Sequence, residues 1–265
     1  MNRTVTRPMI AADILKLRRH RPTMTAAAVL SAGITALYLA VVLARHNGQL
    51  PAAQTLADGT TLMGLYFGSF AAILIGTEAG TADVASGVFR DLAATGRSRT
   101  TLFLTRVPAA IAVALPFTLG GLILTIAAAF AFHGTSPAPG AGLVAESAGW
   151  VVLATAVVTT LAVGVGSFTG SRSITLTAII GWQTVATGLL YLATFLGAAR
   201  DLVLLISLSR FFPGPAVGTR AHPGSSNDLN NFKLPMPAAT AVLVILAWAV
   251  IAVAAGAWRT RTRDA

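Results

Sequence analysis

Cysteine is absent from the chain, which excludes disulfides, thiolate metal sites and a cysteine nucleophile. Charge is scarce. Asp, Glu, Lys and Arg make up 11% of the 265 residues, against about a quarter in a soluble domain. Lysine is nearly missing. Neither Lys16 nor Lys233 ends a Gly-rich loop, so the G-x-x-x-x-G-K-[ST] loop needed to cradle phosphates is not there. ATP hydrolysis of that kind would have to come from another polypeptide. His20, His46, His133 and His222 are dispersed and show no metal-ligand spacing. No H-E-x-x-H, no G-x-S-x-G and no paired membrane aspartates occur, which reads against catalysis within a membrane.

What is present is apolar length. Hydrophobic residues make up 55% of the chain and the mean hydropathy is +0.74. Six stretches lack Asp, Glu, Lys and Arg: 24–44, 59–77, 107–132, 147–170, 174–197 and 236–258. Each is near the ~20 residues that a helix needs to cross a bilayer, and a helix satisfies its own backbone hydrogen bonds there. The sequence therefore predicts an all-α polytopic membrane protein with six transmembrane helices in a single domain, 1–265. The first apolar run is long and follows about 23 residues, several of them basic, which predicts a retained helix rather than a signal peptide.

The net charge is +10. Its basic residues sit at the edges of apolar spans with few aromatics between them, which favours anionic lipid over nucleic acid as the counterpart. With the N-terminus inside and six spans threaded, only Arg45, Arg200, Arg210, Arg220 and Lys233 fall outside. The other 14 of 19 basic residues fall inside. The positive-inside rule then puts both termini in the cytoplasm. Abundant Ala, Gly and Arg with little Lys points to a high-GC bacterium, and hence to a bacterial cytoplasmic membrane.

Residues 8–21 carry Ile10, Ile14 and Leu17 at helical spacing beside Lys16, Arg18, Arg19 and Arg21. This predicts an amphipathic helix on the inner membrane surface, or a basic tail that only fixes topology. On the outer side, 201–212 (DLVLLISLSRFF) is apolar but too short to span, which suggests a re-entrant or interfacial helix. A thin lid and a plain surface loop both fit it. Gly64 and Gly68, Gly76 and Gly80, and Gly166 and Gly170 form G-x-x-x-G pairs that let helices approach closely. Packing within one subunit is the favoured use of these pairs. Pro116 falls inside the third span, where a kink is expected.

No charge falls at the centre of a predicted span. Glu78 sits at the inner end of the second, where its carboxylate is expected to reach water. The fifth span carries Trp182, Gln183, Tyr191 and Phe195, candidate wall residues of a pathway. Gln183 would hydrogen-bond a substrate or, the favoured role, a neighbouring helix.

The long charged interruption on the inner side is 78–106, EAGTADVASGVFRDLAATGRSRTTLFLTR. Gly87-Val88-Phe89-Arg90-Asp91-Leu92, then Gly96, Ser98-Arg99 and Arg106, resembles the run joining the second and third helices of ABC-2-type transporter permeases. The likeness is closest to the bacitracin-export and lantibiotic-immunity type. The neutral Ala79–Ala82 departs from the denser charge of many relatives. The resemblance implies a cytoplasmic coupling helix docking on a separate ATP-binding subunit. Glu78, Asp83, Gly87, Arg90, Asp91, Gly96, Ser98 and Arg99 are the residues it assigns to coupling. Asp83, Gly87, Arg90 and Ala94 would share one face of that helix, and Gly96 would end it. Ser98 would cap the next helix, and Arg99 and Arg106 would anchor it at the headgroups. The resemblance further implies two ATPase subunits carrying ATP and Mg, a second permease copy (identical or related), and no cofactor in this chain. The expected activity is export of a lipophilic or amphipathic compound such as a drug, peptide antibiotic or lipid. The alternatives are a non-transporting anchor or sensor that docks a cytoplasmic partner, and a secondary transporter. A buried carboxylate would favour the last.

Overall fold

The computed structural model describes residues 3–45, 47–50, 52–85, 87, 98–186, 199, 201–213 and 236–262. Among these residues the fold is all-helical. The first helix, α1 (Arg3–Arg19), buries Met9 and Leu17. His20 interrupts the helix, and α2 (Arg21–Arg45) follows, with a π-helical turn at Val29–Gly33. Next come α3 (Ala52–Gly64) and α4 (Phe67–Ala85), then α5 (Arg99–Ala131) and α6 (Ala141–Thr169). The chain continues as α7 (Arg172–Gly181), the short α8 (Leu204–Ser209) and α9 (Ala238–Thr262).

Five helical stretches are long and apolar enough to cross a membrane: Arg21–Arg45, Ala52–Asp83, Arg99–Ala131, Ala141–Thr169 and Ala238–Thr262. The sequence predicts a sixth at 174–197. Its first part is helical through α7 and a π-helical turn at Trp182–Ala186, and 187–198 lie outside the described residues.

Helix limits follow caps rather than the first charged residue. Ser98 accepts a hydrogen bond from the Thr101 N–H at 3.5 Å and opens α5. Ser171 does the same for α7 through the Ile174 N–H. These bonds satisfy N–H groups that a helix start leaves without partners. The 33 residues of α5 run through both Pro108 and Pro116.

The second apolar stretch is the centre of the bundle. Its most apolar window is 72% buried, against 22% for the first and last spans. Ala71, Ala72, Ile73 and Ile75 are fully enclosed. By contrast, α2 and α9 expose Leu37, Leu243, Val250 and Ile251, the apolar exterior that a lipid-facing helix needs. Glycine sets the closest approach, between α4 and α6. A Cβ on Gly80 would lie 2.6 Å from the Val163 carbonyl oxygen, and one on Gly76 would lie 2.8 Å from that of Thr159. The paired glycines read from the sequence thus serve packing inside one chain.

Helix α9 runs antiparallel to α5 and parallel to α6, where Val157 clusters with Ile245 and Gly164 meets Ala252. At one end Arg261 Nε donates to Thr100 Oγ1 at 2.8 Å, tying α9 to the start of α5. At the other, the Leu50 N–H donates to the Phe132 carbonyl at 2.6 Å. Also at that end, α8 wedges between α6 and α9. Trp150 Nε1 donates to the Leu208 carbonyl (2.8 Å) and Trp248 Nε1 to that of Leu202 (2.9 Å). Trp150 meets Phe212 edge-on at 5.0 Å. The apolar 201–212 segment is therefore packed on the bundle through these tryptophans.

Candidate functional site

Two carboxylates on α4 organise the end of the bundle that carries the N-terminus. Glu78 and Asp83 are five residues apart, about 140° around a helix, so they face different neighbours. Asp83 pairs with Lys16 of α1 and, at 2.7 Å, with Arg106 Nη2 of α5. Glu78 lies 3.2 Å from Arg172 Nη1 at the start of α7 and 3.6 Å from His20 Nε2 between α1 and α2. His20 Nδ1 in turn meets Thr23 Oγ1 at 2.7 Å. A third carboxylate, Asp13, accepts from Thr105 Oγ1 at 3.0 Å. Burial pushes the Asp13 carboxyl above its ordinary value, and the Thr105 hydrogen bond opposes this.

Both carboxylates and Arg106 are enclosed, whereas Lys16, His20 and Arg172 reach solvent. Arg106 is 4% exposed, Asp83 5% and Glu78 8%. The space among Asp13, Lys16, Glu78, Asp83 and Arg106 is about 20 Å³, room for one water and no larger ligand. The cluster therefore acts as a joint. It fastens α1, α4, α5 and α7 together on both sides of residues 86–97.

Several expectations change. The sequence places Glu78 at water, Arg106 at headgroups and Asp83 on a partner-facing surface; the structure buries all three in internal pairs. The spans are also not free of acid. The sequence predicts the second span at 59–77, but Ala52–Asp83 carries Asp58, Glu78 and Asp83, and Tyr38 donates to Asp58 Oδ2 at 2.8 Å. Gly87 is exposed with φ of +73°, a left-handed conformation that no α-helix continues through. The helix that carries Asp83 therefore ends at Ala85, before Gly87. Arg99 opens α5 as expected from its place after Ser98. Arg90, Asp91 and Gly96 lie outside the described residues.

The candidate pathway residues divide in the same way. Tyr191 and Phe195 lie outside the described residues. Trp182 is exposed and its ring is tilted against Trp248 at 6.1 Å. Gln183 is committed to helix contact. Its Nε2 donates to the Leu65 carbonyl and, at 2.8 Å, to Ser69 Oγ. Leu65 and Tyr66 form the break between α3 and α4, where the helical ladder is interrupted, so Gln183 satisfies a carbonyl at a broken span. Gln183→Leu is expected to lower stability by ~1–3 kcal/mol through that unsatisfied group, read as an earlier thermal midpoint in detergent. An unchanged midpoint would remove Gln183 from the packing. The sequence offers no signal for the break itself, though Gly68 just beyond it leaves room for the Met63 carbonyl.

No protein-family model matches this chain, and no curated protein matches it either. The site thus rests on its own geometry: a buried ionic joint at the base of a charged segment, among helices fit for a membrane.

Proposed function

We propose that the chain is the membrane-spanning permease subunit of an ATP-driven transporter of the ABC-2 type. It would act in a bacterial cytoplasmic membrane with both termini inside. Two separate ATPase subunits would supply ATP hydrolysis, and a second permease copy would complete the pathway. The cargo class is lipophilic or amphipathic. Residues 86–97, with Arg90 and Asp91, receive the push of the ATPase.

One observation carries this reading. The helices on either side of that segment are clamped to each other by Asp83 and Arg106 and to α1 by Lys16. A displacement of the segment is then passed to α4 and α5 together, because a buried ion pair resists separation of its partners. Packed helices with discrete arrangements are the physical means by which such coupling travels. The order of residues in 78–106 supports the same reading.

A second reading follows from the same cluster. Buried carboxylates are what a proton-coupled carrier uses, and Glu78 beside His20 is such a pair. Against it, Asp83 and Glu78 are each held by an arginine and face a space of one water, too small for cargo.

One experiment separates the two readings. The complex is extracted in mild detergent, weighed intact, and reconstituted with and without ATP. The expected result is two ATPase copies with two permeases and ATP-dependent flux. Arg90→Ala with Asp91→Ala should abolish that flux while leaving membrane insertion intact. ATP-dependent flux that survives the double substitution overturns the coupling role. Flux driven by a proton gradient with no ATPase present establishes the carrier instead.

A further inference from the structure

A second cavity lies beside the joint and is of a different kind. Its volume is about 460 Å³, within the ~300–1,000 Å³ typical of small-molecule sites. Three helices wall it. Ile14 and Arg18 come from α1, Met24 from the first turns of α2, and Val113 and Phe117 from α5. The last wall is the Ala112–Pro116 turn of α5, and both of these residues are exposed. The groove is thus open, runs along two candidate spans, and is apolar except at two points.

The first point is Arg18. Among the described residues no carboxylate pairs with it, because Asp83 and Glu78 are taken by other cations. Arg19 and Arg21 beside it add charge of the same sign. The second point is the Ala112 carbonyl. Pro116 has no N–H to return to it, so an acceptor is left in the groove wall. A guanidinium at the mouth matches a phosphate. Apolar walls along two spans match an acyl chain, which a soluble anion does not have. The spare carbonyl matches a hydroxyl.

We infer that the groove between α1, α2 and α5 holds an anionic phospholipid with a hydroxyl-bearing headgroup. Arg18 takes the phosphate, and one chain lies against Ile14, Met24 and Phe117. This does not depend on the transport reading, since a lipid seated here would brace α1 whatever the bundle does.

The test uses the full chain in detergent and native mass spectrometry. The probes are phosphatidylglycerol and phosphatidylcholine with the same chains. The expected result is about fivefold tighter retention of phosphatidylglycerol, the effect of one basic residue near an anionic headgroup. Arg18→Ala should erase the preference and Arg18→Lys should keep it. Ala112→Phe fills the groove from an exposed position and should remove tight adducts of both lipids. A preference that persists in Arg18→Ala overturns the site, as does normal retention in Ala112→Phe. Displacement of the lipid by glycerol phosphate alone would make this a free-phosphate site and overturn the lipid.

Discussion

Arg106→Ala is expected to lower the stability of the solubilised protein by ~3–5 kcal/mol, the usual consequence of removing one partner from a buried ion pair. The guanidinium is 4% exposed and lies 2.7 Å from Asp83. Without it, Asp83 keeps only Lys16, whose side chain is half in solvent. Desolvation of the carboxylate is then no longer offset by a charge of equal burial. The same change should loosen α1, because Lys16 and Arg106 hold one carboxylate between them. Earlier thermal unfolding and faster proteolysis near the N-terminus are the two readouts. The double variant Asp83→Leu, Arg106→Leu should recover most of the loss, since an apolar pair carries no desolvation penalty. A single variant within ~1 kcal/mol of the parent, in the range of an exposed pair, would show that the pair is wetter than its burial indicates.

Apolar length was legible. The stretches 24–44, 107–132, 147–170 and 236–258 fall within or close to α2, α5, α6 and α9. Their ends were less so, because a hydropathy window stops at a charge whereas a helix stops at a cap. Ser98 starts α5 nine residues before the predicted span. The second stretch shows why the site was hidden. Asp58 and Glu78 border the apolar window 59–77 and Asp83 lies beyond it in the charged segment, as if each sought water. Each instead finds a partner distant in sequence: Tyr38, then His20 and Arg172, then Lys16 and Arg106. Periodicity reports which face a residue occupies, not which distant side chain will meet it. The helix of 8–21 illustrates this. Leu17 and Ile14 do face the core, but Lys16 of the polar flank expected at water joins Asp83 instead, beside Asp13, on which the sequence reading places no role. Trp150 sits inside an apolar run that hides its role. Its indole N–H, which needs an acceptor when buried, was the available signal.

Gly80→Val is the second large effect, and its size depends on the same joint. The Cβ would meet the Val163 carbonyl oxygen at 2.6 Å, the Ser167 backbone nitrogen at 3.0 Å and the Gly166 Cα at 3.1 Å. All three are backbone atoms of α6, so no side chain can swing aside and the two helices must part. Overpacking alone costs ~1–3 kcal/mol. Separation also removes the hydrogen bond from Ser167 Oγ to the Gly80 carbonyl, 3.3 Å long. It further draws Glu78 away from Arg172, which follows directly on the end of α6. The expected loss is therefore larger than steric strain alone and is coupled to the ion pair. In a double-mutant cycle, Gly80→Val and Glu78→Gln should be non-additive by at least ~0.5 kcal/mol, as for residues that share a partner. Gly120→Ala serves as the control. It lies in α5 with nothing within 4 Å of its would-be Cβ, so only helix propensity changes, in favour of the variant by up to ~1 kcal/mol. Equal midpoints for the Gly80 and Gly120 variants would mean that α4 and α6 are not in backbone contact, and the joint would then need another support.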